Sequence, residues 1–254
     1  MGDITNEFKS AMAERRRLIG AFSVFSSAAV AESLALSGLD FVVIDMEHAP
    51  NDVPSVLDQL RSYVGSQTHP AVRIPWNEFV QIKKVLDIGV QTLMIPYIQS
   101  AEEAAAAVAA TRYPPAGMRG VANMHRAAGF GTVENYLQKA NDQICILAQI
   151  ETEKSVANLE EILAVDGIDA VMVGPADLSA DMGLIGQPMH EDVQAHLKHI
   201  ARRCAELGKP AGTVGPSVEI ARSYLEYGFS YVMVGSDLGA LLREFRSLTA
   251  ALKA

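Results

Sequence analysis

The chain has 254 residues, 49% of them apolar and 20% charged, with a formal net charge of −9. That composition fills a sizeable core and excludes a disordered polymer, and an acidic balance without a basic stripe excludes the counterion-displacing surface that a nucleic-acid partner requires. No apolar run reaches the ~20 residues that span a bilayer, and two distant cysteines, Cys145 and Cys204, predict a reduced, cytoplasmic protein without a disulfide framework.

At the N-terminus, Gly2 begins a myristoylation-like run, but Asn6 stands where Ser or Thr is required. Arg15-Arg16-Arg17 ahead of LIGAFSVFSSAAVA imitates the charged and apolar parts of an export signal. Serines interrupt that apolar run, and cleavage there would remove the first strand of the pattern that follows. Eight short apolar runs recur in chain order: LIGAFSV (18–24), FVVID (41–45), AVRI (71–74), TLMIP (92–96), CILAQIE (145–151), AVMVG (170–174), PAGTV (210–214) and YVMVG (231–235). Several are apolar at consecutive positions, as in parallel strands buried on both faces. Helical patterns fill the gaps at 28–37, 53–64, 78–88, 101–112, 154–164, 191–207, 217–227 and 238–252. Eight such units predict one α/β domain over residues 1–254, a (β/α)8 TIM barrel. An open doubly wound sheet alternates in the same way, but G-x-G-x-x-G is absent after the first strand. The fourth connection is long, from Pro96 to Cys145; its segment YPPAGMRG (113–120) is expected to be a rigid excursion over the barrel mouth, with a short helix at 133–141 leading back.

Reactive groups of such barrels stand at the C-terminal ends of the strands. There the sequence places Asp45-Met46-Glu47-His48, Arg73, Gln149-Ile150-Glu151 and Gly174-Pro175-Ala176-Asp177. Glu151 and Asp177, on neighbouring strands, make a partial cage for a hard divalent cation such as Mg2+ or Mn2+, with the remaining positions left to water and substrate. They read equally as helix-start carboxylates. Arg73 is placed to stabilise a developing negative oxygen, or to form an ion pair with Asp45 or Glu47, and the two roles are compatible. His48 is the candidate base. His196 and His199 fall on an outer helix, His69 on the opposite end of the barrel, and His125 and His190 in loops. No lysine is well placed for a Schiff base, Lys154 being a weak candidate, and no G-x-S-x-G, H-E-x-x-H or Walker motif is present.

The segments VVIDMEHAPND (42–52), VRIPWN (72–77), LDIGVQTLMIPYIQS (86–100), YPPAGMRGVA (113–122), YLQKANDQICILAQIET (136–152) and VMVGPADLSADMG (171–183) together resemble the HpcH/HpaI aldolases. These are class II pyruvate aldolases, including 4-hydroxy-2-oxoheptanedioate and 2-dehydro-3-deoxyglucarate aldolases. The resemblance implies a phosphoenolpyruvate/pyruvate-type barrel. It implies a divalent metal (Mg2+ or Mn2+, with Co2+ a third option) on Glu151 and Asp177. Gln149 and the backbone of Ala176 and Asp177 would place pyruvate, and Arg73 would steady the enolate oxygen. His48, supported by Asp87 and with Asp45 nearby, would form the proton relay. It also implies a homohexamer with exchanged C-terminal helices, so that 238–252 packs on a partner chain. The implied reaction is reversible aldol addition of pyruvate, or a related 2-oxoacid such as hydroxypyruvate, to an aldehyde, through an enolate stabilised by the metal. Oxaloacetate decarboxylation through the same enolate is the alternative, and a non-catalytic 2-oxoacid-binding barrel is a third. The departure is at the first strand, where relatives carry a G-L-W-type segment and this chain has Gly20-Ala21-Phe22-Ser23, which bears on the aldehyde pocket.

Overall fold

The computed structural model describes residues 4–253; Gly2 and the acylation-like start it opens lie outside them. The order of elements is α1 (Glu7–Ala13), β1 (Leu18–Ser23), α2 (Ala28–Ala35), β2 (Phe41–Asp45), α3 (Val53–Ser62), β3 (His69–Arg73), α4 (Phe79–Asp87), β4 (Thr92–Ile95) and α5 (Ala101–Thr111). After a 3-10 turn at Arg126–Gly131 come α6 (Tyr136–Gln143), β5 (Cys145–Ile150), α7 (Glu153–Ala157), α8 (Leu159–Ala164), β6 (Ala170–Val173) and α9 (Pro175–Asp181). The chain ends with α10 (Glu191–Glu206), β7 (Ala211–Val214), α11 (Val218–Tyr227), β8 (Tyr231–Ser236) and α12 (Asp237–Lys253). The strands pair in parallel in chain order and close, β8 against β1. The eight expected runs are these eight strands, with ends shifted by a residue or two.

Burial on both faces divides each strand by parity. Phe41 and Val43 on β2, Ala71 on β3, Cys145 and Leu147 on β5, Ala170 and Met172 on β6, and Tyr231 and Met233 on β8 form one buried cluster inside the barrel. The alternate residues, such as Val42, Ile44, Ile146 and Ala148, pack outward against the helices in the larger cluster. Side chains two residues apart share a face, so the inner parity carries on to Asp45, Arg73, Gln149 and Glu151 at the C-terminal ends.

The other end of the barrel is plugged by α1. Phe8 is buried against Phe41, with ring centroids 5.1 Å apart, and stacks on the His69 ring at 5.3 Å. His69 bonds the Thr92 hydroxyl at 2.9 Å, and burial pushes its pKa down to about 4. Gly212 is required beside this plug, because a Cβ there would stand 2.1 Å from the Tyr231 ring.

Three expectations are corrected. The excursion at 113–120 lies at the foot of the barrel, not over its mouth, because α5 has already carried the chain back down before it begins. Arg119 there bonds Asp87, the last residue of α4, and Arg126 bonds the Ile88 carbonyl. The helix expected at 154–164 is two, α7 and α8, broken at Asn158, which leaves helical geometry at ψ 14. The helix leading back starts at Tyr136 rather than 133, since Asn135 takes a left-handed φ of 56.

Among the described residues no helix is long and apolar enough to cross a membrane. The final helix α12 leaves Leu238, Leu241, Phe245 and Leu248 exposed.

Candidate active site

A cavity of about 460 Å³ opens at the C-terminal ends of the strands, with Arg73, His48, Gln149 and Asp177 among its lining groups. The position of Arg73 follows from the period of β3, which ends with this inward side chain. Its Nε and Nη2 each donate to Asp45 at 2.8 Å, a bidentate pair between two buried residues, and Phe22 covers one guanidinium face with its ring centroid 4.7 Å away. Nη1 stands 2.9 Å from Glu47 Oε2, yet off the direction of a hydrogen bond, so this is a contact of charges. Burial opposes the charge on Arg73, but the bonds and attraction of Asp45 outweigh it and strengthen its hold on its proton. One hydrogen on Nη2 and both on Nη1 are left without a hydrogen bond.

Asp45 also accepts the backbone N–H of Glu47 at 3.0 Å, while Asn51 bonds the Asp45 carbonyl at 2.7 Å. Asn51 continues to Gln59, Ser23 and Asp237, and this buried chain of bonds ties the ends of β1 and β2 to α3 and α12. The arginine is therefore presented by a rigid set of partners rather than by its own flexible stem.

Glu151 follows β5 on the inner face. Ser155 Oγ accepts its backbone N–H at 3.1 Å and belongs to the capping box that starts α7. Its Oε1 accepts the Tyr97 backbone N–H at 2.8 Å, and Oε2 accepts from the Gln149 amide. The carboxyl is 2% exposed as a residue, and burial raises its pKa to about 7; the bonds from Gln149 and Tyr97 oppose the shift, and repulsion by Asp177 and Glu47 adds to it. Burial likewise raises the pKa of Glu47, with Arg73 opposing. Gly174 makes room for Glu151, because a Cβ at that position would lie 2.7 Å from Oε2.

Asp177 is exposed in the first turn of α9. This helix begins with Pro175, and Gly174 supplies no side-chain cap. The first-turn N–H groups of Ala176 and Asp177 have no acceptor within the helix and suit a carboxylate. Gln149 Oε1 is buried without a partner and belongs to the same cavity wall.

His48 and Asp87 do not meet within the chain. The His48 ring is 64% exposed at the rim, 3.8 Å from Glu47. Asp87 ends a helix that returns to the foot, where it pairs with Arg119 at 2.8 Å and stands 3.6 Å from His125. Asp45 reaches His48 only through the backbone N–H, at 3.4 Å. Sequence reasoning missed Tyr97: its φ of 58 turns the N–H toward Glu151, and its ring stacks on Trp76 at 5.5 Å. Nothing local in Ile95-Pro96-Tyr97 signals that turn. The span of α9 was not among the expected helices, although the reading of Asp177 as a helix-start carboxylate pointed to it and Pro175 was a further sign.

Among the described residues no three His, Cys, Asp or Glu side chains cluster as metal ligands. The acidic side chains here are nonetheless in excess: Asp45, Glu47, Glu151 and Asp177 act on one another across a single guanidinium.

A closed parallel barrel that gathers Arg73, His48, Gln149 and Asp177 at the C-terminal ends of its strands is a (β/α)8 barrel with its candidate site where such enzymes carry theirs. The family model for HpcH/HpaI aldolase/citrate lyase matches residues 18–243. The chain is 46% identical over 248 residues to a 5-keto-4-deoxy-D-glucarate aldolase of Salmonella newport (strain SL254), covering 98% of this chain and 97% of the relative. It superposes on the crystal structure of an HpcH/HpaI aldolase/citrate lyase family protein from Burkholderia cenocepacia J2315 with a TM-score of 0.96 at 38% identity, covering 98% and 100% of the two chains. An HpcH/HpaI aldolase from Desulfitobacterium hafniense DCB-2 superposes at 0.90 with 30% identity, covering 96% of each. The chain belongs to the HpcH/HpaI aldolase/citrate lyase family.

Proposed function

We propose that the chain catalyses reversible aldol addition and cleavage between pyruvate, or a related 2-oxoacid such as hydroxypyruvate, and an aldehyde. The observation that carries this reading is one pocket lined by Asp177, Arg73, Gln149 and the uncapped start of α9, with the buried Glu151 behind its wall, bonded by Gln149 and repelled by Asp177. Family membership and the aldolase named among its relatives support it.

The residues fit a divalent cation. Two carboxylates that repel each other, one keeping its proton up to about pH 7, are the donor set that a dication would relieve, and the orphaned Gln149 oxygen beside them awaits a polar partner. Glu151 and Asp177 would hold Mg2+, Mn2+ or Co2+, which when bound supplies Lewis acidity and a template for the 2-oxoacid oxygens.

The rest of the chemistry belongs to the chain. The N–H groups of Ala176 and Asp177 receive the substrate carboxylate, and the Gln149 amide orients the keto oxygen. Arg73, held rigid by Asp45, turns hydrogens of Nη1 and Nη2 to the oxygen that gains negative charge as the methyl group loses a proton. The resulting carbon nucleophile attacks the aldehyde carbon, and the former aldehyde oxygen takes up a proton; cleavage runs these steps backwards. His48 at the rim moves the proton, and Asp87 serves it only across a subunit contact, since the two lie at opposite ends of one barrel. The exposed leucines and Phe245 of α12 support assembly through that helix.

The test is deuterium exchange into the pyruvate methyl group, with metal and without aldehyde. Wild-type protein exchanges, and Glu151→Ala and Asp177→Ala lose exchange by on the order of 100-fold or more. Full exchange by either variant in the presence of a chelator would exclude the reading.

A further inference from the structure

The inner face of α3 carries a polar stripe at every fourth position: Asn51 just ahead of the helix, Ser55 and Gln59 within it, and Tyr63 at its C-terminal cap. Residues four apart share a helix face. Gln59 is 0% exposed, beside the buried Val56 and Leu60, in a layer that ordinarily holds hydrocarbon. Its amide is engaged at both ends. Nε2 donates to Asn51 Oδ1 at 2.7 Å and to the Ser55 carbonyl at 3.2 Å, which uses both of its hydrogens. Oε1 lies 3.1 Å from Ser23 Oγ, whose single hydrogen is shared with Asp237 Oδ2 at 3.3 Å. Asp237 also accepts the Val24 N–H at 3.0 Å and the Phe25 N–H at 3.3 Å, and it is the buried residue of α12.

Asn51, Gln59, Ser23 and Asp237 stand behind the pocket wall rather than in it. Their reach into the pocket runs through one peptide. Asn51 Nδ2 holds the Asp45 carbonyl at 2.7 Å, and the Met46 N–H bonds the Arg73 carbonyl at 2.9 Å, so the peptide after Asp45 is fixed on both sides. The plane of that peptide sets the direction of the Asp45 side chain, whose carboxylate holds Nε and Nη2 of Arg73 at 2.8 Å each. Without Gln59, the Asn51 oxygen keeps only the Ser55 hydroxyl at 3.2 Å, whose one hydrogen also faces the Asp52 carbonyl. We propose that Gln59 is a positioning residue of the reaction: through Asn51 and Asp45 it sets the direction in which the Arg73 guanidinium meets the oxygen that gains negative charge, and through Ser23 it ties that direction to the seat of α12 at Asp237. The inference rests on the aldolase reading above. A guanidinium stabilises a developing charge along its N–H bonds, and a preorganised donor loses that advantage when its support is loose. Glu151, after β5, and Asp177, on α9, stand outside this chain of bonds.

The experiment follows Mg2+-dependent deuterium exchange into the pyruvate methyl group by the full chain. Gln59→Met keeps the length of the side chain and removes its hydrogen bonds. It is expected to lower kcat for exchange at least about tenfold. KM for pyruvate and Mg2+ affinity by titration calorimetry are each expected within about twofold of wild type, because the loss falls on the charged state rather than on binding. Exchange at the wild-type kcat by the folded variant, or an equal loss of Mg2+ affinity, overturns the inference. In an Arg73→Lys background no planar fork remains to be aimed, and Gln59→Met is expected to cost less than about twofold there; the same factor in both backgrounds overturns the inference. Gln59→Glu tests rescue and decides alone if Gln59→Met does not fold. While protonated, that side chain still donates to Asn51 and accepts from Ser23, so kcat is expected within about twofold of wild type at about pH 6 and at least about tenfold below it at about pH 9, where the donor is lost. A ratio to wild type that stays level across this range overturns the inference. Wild-type exchange separates the failures: exchange that is indifferent to Gln59 removes the positioning role alone, and absence of wild-type exchange removes the aldolase reading and this inference with it.

Discussion

Glu151→Gln in metal-free protein isolates the cost of holding a carboxylate in the pocket. Below pH 4.5 the side chain is protonated in both the folded and the unfolded chain, and its burial carries no charge penalty. Between pH 4.5 and about 7 the unfolded chain releases the proton while the folded chain retains it, so stability falls as pH rises and the full cost is reached above about 7. The difference between the two values corresponds to about 3 kcal/mol, which for a chain of 254 residues is roughly 6 °C in Tm. Glutamine preserves the shape and can still accept the Tyr97 N–H, and a flipped Gln149 amide can accept from its new NH2 through the oxygen that now has no partner. Scanning calorimetry from pH 4.5 to 8 after chelation should show the variant level with wild type at the acid end and about 6 °C above it at pH 8. Saturating Mg2+ should close that gap by raising the wild type alone, because a dication reverses the cost of ionising Glu151. Parallel Tm curves for the two proteins across this range would refute the reasoning.

Asp177→Asn lies on an exposed position, so urea unfolding should change by less than about 0.5 kcal/mol while metal-dependent methyl exchange falls on the order of 100-fold. Arg73→Met strands Asp45 as a buried unpaired carboxylate and should lose about 3–5 kcal/mol in the same unfolding assay. Phe8→Ala empties the plug at the foot, expected to lose about 3–5 kcal/mol, with pyruvate exchange by the folded fraction within about twofold of wild type because the site is at the other end. Gly174→Ala drives a methyl group into the space of Glu151 Oε2; titration calorimetry should show Mg2+ affinity reduced at least about tenfold.

Much of the site was legible because it obeys local periods. CILAQIE alternates so that Cys145, Leu147, Gln149 and Glu151 share a face, and Phe41, Val43 and Asp45 do the same on β2. The pairing of Arg73 with Asp45 and Glu47 was foreseeable from their places at the ends of neighbouring strands. Tyr97 was not, since no turn residue marks its left-handed backbone and its partner Glu151 lies 54 residues further on. Asp87 was assigned to His48 by resemblance, while the direction of α4 takes it to the foot of the same chain. The excursion at 113–120 was misplaced for the same reason: an insertion that follows a helix, not a strand, lies on the far side of the barrel. The apolar lining of the pocket was invisible because Phe22, Met189 and Ile220 come from segments far apart in the chain.

The residue order alone determined the eight βα units, the inward parity of the strand ends and the family resemblance, because period, turn chemistry and motif spacing are properties of short stretches. Only the closed barrel decided which of those ends meet, which carboxyl keeps its proton, and which apolar side chains line the pocket beside them. Those depend on distances across the ring and on exclusion of water, which exist only once β8 pairs with β1 and the helices cover the sheet.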